Sequence, residues 1–327
     1  MRSLRLVELR DSVRTREQLL IDGWPACELD RTGPGASFRR VHRNRFVSSE
    51  LWADLWPESR HRIELCAAVQ EMRGGAGVAS HLSAAVAWGL PLFRHVPREV
   101  EFTIHGRLRA ATRAGIRRHL NALDQSDVVV IDGVRCTSLE RTVFDVARVY
   151  RAEVALACMD AALRSISVDG QNWDAGAHAA WKDRMSARAR ESAGARGIKQ
   201  ARRLIDIADG RAQLPGESVS RLQLLRLGFA RPDLQVPVAG PAGRTYWVDF
   251  RLGDVAAWGE FDGKDKYLDE AMRRGKTIEE VVLDEKKRED WIRGTTQGRF
   301  ARWGDEHIGS PQALRVRLAA FGIHPPR

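Results

Sequence analysis

From Trp247 to Tyr267 the chain reads WVDFRLGDVAAWGEFDGKDKY, two apolar runs with carboxylates set into them. A carboxylate buried without a partner is expensive. Any fold that accepts this segment must therefore give Asp249, Glu260 and Asp262 solvent, a counter-charge or a ligand. The alternation on either side of Gly253-Asp254 predicts two strands, TYWVDFRL and VAAWGEFD, joined by a two-residue turn with glycine first, the type II′ pattern. In that register Leu252 faces Val255, Asp249 faces Trp258 and Trp247 faces Glu260. Side chains alternate along a strand, so Asp249, Glu260 and Asp262 leave from one face, with Asp249 and Glu260 as diagonal neighbours about 7–8 Å apart. Trp247, Phe250, Trp258 and Phe261 predict a largely buried hairpin.

Like charges on a buried face need compensation. Lys264 and Lys266 follow directly and supply it in one reading, in which the acids simply pair with local lysines. In the other, the cation is Mg2+ (or Mn2+), which takes one or two protein carboxylates and completes its shell with water and phosphate oxygens. Acids at this density in a buried sheet favour a functional cluster.

Around the hairpin, Pro215-Gly216 introduces a helix from Glu217 that carries Val219, Leu222, Leu225 and Leu227 and stops at Gly228. The ordered set GES, RTYWVDF, GEFDGKDKY and LDEKKREDWIR resembles the very-short-patch-repair-like branch of the PD-(D/E)XK, restriction-type nuclease superfamily. The resemblance implies a restriction-endonuclease-like α/β domain over residues 213–327 and metal-assisted phosphodiester hydrolysis. Asp249 and Glu260 would hold the ion, which polarises the phosphate and lowers the pKa of an attacking water. Lys266, or Lys264, would orient that water or neutralise developing charge. Glu217 would hold a second ion or a metal-bound water, or act only as an acidic residue in the first turn of its helix. Asp262 stands where the family's motif has its lysine. Asp290 and Arg293 fall at the family's later helix positions, as site residues or as a structural ion pair.

The N-terminal segment to about Phe46 predicts a short helix with Leu19 and Leu20 inward, a turn at DGWP, a second helix start and, after GPG, the apolar/basic strand SFRRVHRNRFV. That is the order of a winged helix-turn-helix. Arg39, Arg40, Arg43 and Arg45 are its candidate phosphate contacts, with a solvated strand face as the other reading. The formal net charge of +10 favours a polyanionic partner, nucleic acid first. A middle α+β region follows, with a strand EVEFTIH, a strand pair DVVVIDGVRCTS turning at Asp132-Gly133, and amphipathic helices. The segments RVHRNRFV, VASHLSAAVAWGLPL, EVEFTIH and IDGVRCTSLERTVFDVAR resemble the AbiEi family of antitoxins from bacterial abortive-infection systems. That resemblance covers roughly the first half of the chain. It implies DNA binding by the N-terminal winged helix-turn-helix, repression of the protein's own operon, and a nucleotidyltransferase-like toxin as protein partner.

The expected organisation is multidomain, α+β and α/β: a winged helix-turn-helix over 1–48, an α+β domain over 49–165, a basic helical connector over 166–212 and the nuclease-like domain over 213–327. Ser80 is read as the cap of HLSAAVAW. His81, Ser83, Arg141 and Asp145 are read as caps and buried hydrogen-bonding groups, because no nucleophile elbow accompanies them. In the connector, the charge run from Lys182 to Arg203 is read as a solvated face. The widely spaced Cys27, Cys66, Cys136 and Cys158 contain no Cys-x-x-Cys pair and read as small buried hydrophobes in a reducing compartment. No apolar stretch has signal-peptide or membrane-span length, so the expectation is a cytoplasmic protein with no membrane partner.

Overall fold

Hydrophobic periodicity and punctuation produce a mixed α/β chain with several separate sheets. The computed structural model describes residues 4–72, 77–104, 114–263 and 278–326. It divides into two compact units, Met1–Ala162 with Lys182–Asp206, and Leu163–Trp181 with Ile207–Arg327.

The first unit begins with α1 (Leu6–Arg10), β1 (Arg14–Thr15), α2 (Arg16–Ile21), α3 (Ala26–Asp30), β2 (Phe38–His42) and β3 (Arg45–Ser48). The strands form an antiparallel sheet in the order β1-β3-β2. Thr15 caps α2 by accepting from the Gln18 N–H, and the Gln18 side chain reciprocates, a capping box. Leu19 is buried with Leu29 and Phe46. Leu20, expected inward, is exposed, because a helix of six residues has room for only one inward position at that turn. Leu6, Leu9, Val13 and Val47 belong to the same hydrophobic cluster as Ile63, Leu65, Phe102 and Cys136. The core therefore continues without a break past residue 48.

Next come α4 (Ser49–Asp54), α5 (Pro57–Glu71), β4 (Gly77–Ala79), α6 (His81–Ala87), β5 (Val100–Ile104), β6 (Ile116–Leu120), β7 (Val128–Ile131), β8 (Val134–Thr137) and α7 (Leu139–Val149). The five strands lie in the order β6-β5-β4-β8-β7. Asp132 and Gly133 both take positive φ and join Ile131 to Val134, the two-residue turn that Asp-Gly favours. Helices α8 (Ala152–Ser167), α9 (Ala175–Glu191) and α10 (Ile198–Ile207) carry the chain across the division, with β9 (Val168–Asp169) and β10 (Asn172–Trp173) as a small hairpin between the first two. Part of the basic run is paired within the first unit: Arg188 donates to the buried Asp127 at 2.7 Å and Arg184 to Glu140 at 2.8 Å. These arginines are structural partners rather than a wholly solvated face.

The second unit continues with α11 (Pro215–Leu227), β11 (Asp233–Ala239), β12 (Thr245–Leu252), β13 (Ala257–Asp262), α12 (Ile278–Thr296), β14 (Arg299–Gly304) and α13 (Pro311–Ala319). The sheet order is β11-β12-β13-β14; the first three strands are antiparallel neighbours and β14 runs parallel to β13 after the α12 crossover. Gly228, in the left-handed region, ends α11 as expected.

The hairpin turn differs from the expectation. Leu252 pairs with Ala257, so the loop is the four residues from Gly253 to Ala256, with a 3-10 turn over Gly253–Val255 and Ala256 left-handed at φ 47°. The register is displaced by two residues, and Phe250 pairs with Gly259. Because the displacement is even, every side chain keeps the face the alternation gave it. Asp249 and Glu260 become directly opposed rather than diagonal.

Candidate functional site

Three carboxylates foreseen in the sequence converge on one cleft of about 440 Å³ in the second unit, lined among others by Gln213, Gln235, Asp249, Glu260, Asp262, Arg288 and Arg302. Asp249 lies within β12 just past Phe250, the last residue that pairs with β13, and its Oδ2 accepts the Phe261 N–H at 2.9 Å. A side-chain oxygen thus replaces a ladder acceptor, and this anchors the carboxylate. Glu217, in the first turn of α11, is buried and accepts the Gln213 N–H at 2.8 Å. The close approach of α11 to β13 has a local cause. A side chain at Gly216 would overlap the Phe261 ring, so only glycine lets the helix start lie on the strand.

Gln235 links the two acids. Its amide nitrogen reaches Glu217 Oε2 at 3.3 Å and Asp249 Oδ1 at 3.2 Å, and its oxygen accepts from Gln213 at 3.0 Å. Glu260 is 4% exposed and makes its closest ion pair with Arg288 of α12 at 2.6 Å. Arg302 of β14 lies 3.6 Å from Glu260 and 3.8 Å from Asp262. Burial, together with the charge of Asp249, holds the Glu260 carboxyl above its usual range, although Arg288 and Arg302 favour the ionised form. Arg288 is itself held above its usual value by Glu260, against the opposing effect of burial.

Lys264 and Lys266 lie outside the described residues. Asp290 is exposed, and Arg293 pairs with Glu289 at 2.6 Å. The residues of this cleft that the sequence reading missed are Gln235, Arg288 and Arg302. Arg288 was hidden in the charge run LDEKKRED, where nothing distinguishes the one position that faces the sheet. The Arg302 signal was its place on β14, in register with Glu260.

The four arginines proposed for phosphate contact separate into two kinds. Arg39, Arg40 and Arg43 are exposed, with Arg39 stacked 4.7 Å from the Trp52 ring. The side chain of Arg45 is 11% exposed and pairs with Glu71 at 3.1 Å, so it fastens the strand to the end of α5.

The first unit holds a second polar cluster, centred on Glu101 of β5. Ser80 stands at the N-cap position before α6 but its side chain makes no capping hydrogen bond, contrary to expectation; its hydroxyl pairs with His81 Nδ1 at 3.0 Å. The reason is that Glu101 Oε2 already accepts the Leu82 N–H at 3.0 Å. Glu101 Oε1 pairs with His119 Nε2 of β6 at 2.9 Å. The His81 and His119 rings stack with centroids 3.6 Å apart. Potential ligand atoms of His81, Glu101 and His119 all lie within 4.8 Å of one another, a possible metal-binding triad. Among the described residues the acids of the second unit do not gather so closely. Burial opposes ionisation of Glu101, but hydrogen bonds from His119, Tyr150 and the Leu82 N–H keep its pKa below the usual range. Burial pushes His81 down to about 4.

Ser83 pairs with His61 Nε2 at 2.8 Å rather than with His81. Arg141 bridges Asp127 and Asp145 at 2.8 Å each. Ser83 and His61 are both buried, and the Ser83 hydroxyl also accepts the Glu101 N–H at 2.8 Å, so Ser83, like Arg141 and Asp145, is a buried hydrogen-bonding group out of reach of a substrate. Cys66, Cys136 and Cys158 are buried, with thiols pushed up to about 11 for the first and about 12 for the other two, whereas Cys27 is exposed. No helix of the described residues is long and apolar enough to cross a membrane.

No family profile matches the chain. It is similar to uncharacterized proteins from two strains of Mycobacterium tuberculosis, each 32% identical over 184 residues. The match covers 53% of this chain and 62% of each relative. The chain thus matches less than two thirds of the relatives' length.

Proposed function

We propose that the chain is a DNA-binding protein whose second unit hydrolyses phosphodiester bonds with Mg2+ (or Mn2+). One observation carries this reading. Asp249 and Glu260, brought opposite each other by the register of adjacent strands, line one polar cleft, and the Gln235 amide links Asp249 to the buried Glu217 at the start of the preceding helix. The order helix, three antiparallel strands, crossover helix and parallel fourth strand is what a PD-(D/E)XK domain requires, in keeping with the motif resemblance. Asp249 and Glu260 are the metal ligands in this account. With the ion bound, Arg288 and Arg302 would be the groups placed to contact the scissile phosphate, whose geometry guanidinium groups match. Among the described residues no lysine lines the cleft; the motif resemblance would assign that role to Lys264 or Lys266, which lie outside them.

The N-terminal helices and the β2–β3 hairpin follow the order of a winged helix-turn-helix, and Arg39, Arg40 and Arg43 supply its phosphate contacts. A second reading is favoured by the ion pairs already made by Glu260 and by the Gln235 amide between Glu217 and Asp249. In it the second unit binds without cutting, and the protein is a repressor or antitoxin with a toxin partner.

A cleavage assay on single- and double-stranded DNA with Mg2+ or Mn2+ separates the two. Metal-dependent cutting by the wild type, reduced on the order of 10³-fold in Asp249→Ala and Glu260→Ala, supports the nuclease. Binding without cutting by the wild type on all substrates leaves the repressor. Replacing Arg39, Arg40 and Arg43 together should weaken DNA binding and flatten its dependence on salt by up to about three phosphate contacts. Unchanged affinity would remove the wing from the account.

A further inference from the structure

We propose that His81, Glu101 and His119 form a binding site for a divalent transition-metal ion of the zinc class, in the unit that does not contain the acidic cleft. The strand pattern brings the residues together. β5 and β6 are parallel, with Glu101 opposite Arg117 and Thr103 opposite His119. Residues in register, or two apart, share a face, so Glu101, Thr103 and His119 stand on one side of the sheet. The Ser80 N–H donates to the Glu101 carbonyl at 3.0 Å where β4 ends, which delivers His81 to the same place. His81 takes φ 50°, a left-handed conformation uncommon for a residue with a side chain. Backbone of this kind gathers at binding sites.

The donor set fits the ion. Two imidazoles and one carboxylate form a known three-ligand zinc set, with a fourth position left for water. Imidazole nitrogen also favours zinc-class ions over Mg2+ and Ca2+. Ligands about 2.1 Å from a tetrahedral ion lie about 3.4 Å apart. These donors are within 4.8 Å of one another, and His119 Nε2 is already 2.9 Å from Glu101 Oε1. The ion would take the place of the proton between those two atoms, with the stacked His81 and His119 rings turning so that both in-plane lone pairs meet it. Outer hydrogen bonds orient the ligands in the usual way of metal centres. Ser80 holds His81 Nδ1 and leaves Nε2 as donor, while the Leu82 N–H holds Glu101 Oε2. One further atom points to a missing ligand: Thr103 Oγ1, buried on this face, has no hydrogen-bond partner among the described residues. A metal-bound water would donate to it.

The test uses the full chain, stripped with a chelator, dialysed and titrated with Zn2+ and, for its visible absorption, Co2+. With excess Mg2+ present throughout, the expected result is one more Zn2+ or Co2+ per chain than Glu101→Gln takes up, Co2+ bands in the visible, and a midpoint of thermal unfolding raised by about 5 °C. Loss of an outer partner typically weakens a metal site about 10–100-fold, so loss of a ligand in His119→Ala or Glu101→Gln should weaken Zn2+ by more than roughly 100-fold and erase the Co2+ bands. Asp249→Ala should bind Zn2+ as the wild type does, whatever happens to DNA cleavage. Failure of the nuclease reading therefore leaves this site standing, and the reverse. Wild-type protein that takes up no more Zn2+ or Co2+ than Glu101→Gln overturns the proposal, and so do bands that survive both ligand substitutions. If His119→Ala fails to fold, the near-isosteric Glu101→Gln and the wild-type titration decide.

Discussion

Glu260 and Glu101 are both nearly inaccessible carboxylates on strands, 4% and 2% exposed, yet their surroundings push them in opposite directions. Glu260 faces guanidinium groups from α12 and β14 together with another acid, and its pKa is raised. Glu101 is surrounded by hydrogen-bond donors, an imidazole, a phenol and a backbone N–H, and its pKa is lowered. Burial disfavours both charges, so the difference lies in what the neighbours do. Short, directed hydrogen bonds outweigh desolvation at Glu101. At Glu260 the repulsion of Asp249 adds to desolvation, and two arginines fail to offset the sum. The first arrangement suits a site that already holds its anion. The second is one in which a further cation would gain most.

Removing one partner from Glu260 is the strongest way to break this comparison. Arg288→Met leaves the carboxylate buried without its closest cation and should cost about 3–5 kcal/mol at neutral pH. The loss should shrink in acid, where protonation of Glu260 removes the unpaired charge. Chemical denaturation at several pH values measures both. A cost that does not change with pH would mean that Arg288 acts through packing alone.

A smaller effect is expected from the contact that seats the start of α11, with Glu217, against β13. Gly216→Ala sets a methyl group against the Phe261 ring, an overpacking cost of about 1–3 kcal/mol, read as a lower unfolding midpoint. If α11 shifts to accommodate the methyl, activity in the cleft should fall more than stability does.

The smallest effect is in pH slopes. The lowered pKa of Glu101 contributes stability that is complete above its unfolded value and is lost as pH falls through the folded value. The raised pKa of Glu260 does the opposite: its contribution is complete below the unfolded value and is lost as pH rises through the folded value. With a chelator present, Glu101→Gln should flatten the loss of stability on acidification. Glu260→Gln should remove the decline on going from the acid side of the carboxylate range toward neutrality. Unfolding midpoints between about pH 2 and 7 show whether the two slopes separate.

The sequence made half of this contrast visible. Period-two alternation placed Asp249, Glu260 and Asp262 on one face, and that survived a wrong loop length because the register error was even. Local punctuation was equally legible at Asp132-Gly133 and Gly228, where backbone conformation dictates the residue. The neighbours that decide the pKa values were not legible. Arg288 and Arg302 reach Glu260 from 28 and 42 positions away, and Gln235 joins two acids that no local pattern connects. His119 sits on a short basic strand, IRRHL, whose pairing with β5 depends on the whole sheet. The continuity of the core past residue 48, where a boundary was expected, was not legible for a related reason: helix and strand signals mark elements, whereas a shared core is a property of their packing.

The most direct test of the central claim is single-turnover cleavage of a labelled duplex and a labelled single strand by excess full-length protein, with Mg2+ added to chelator-treated samples. The account predicts cutting that requires the added ion and falls on the order of 10³-fold in Asp249→Ala, with DNA binding retained. Cutting that persists unchanged in Asp249→Ala, or no cutting by the wild type with either Mg2+ or Mn2+, would contradict it.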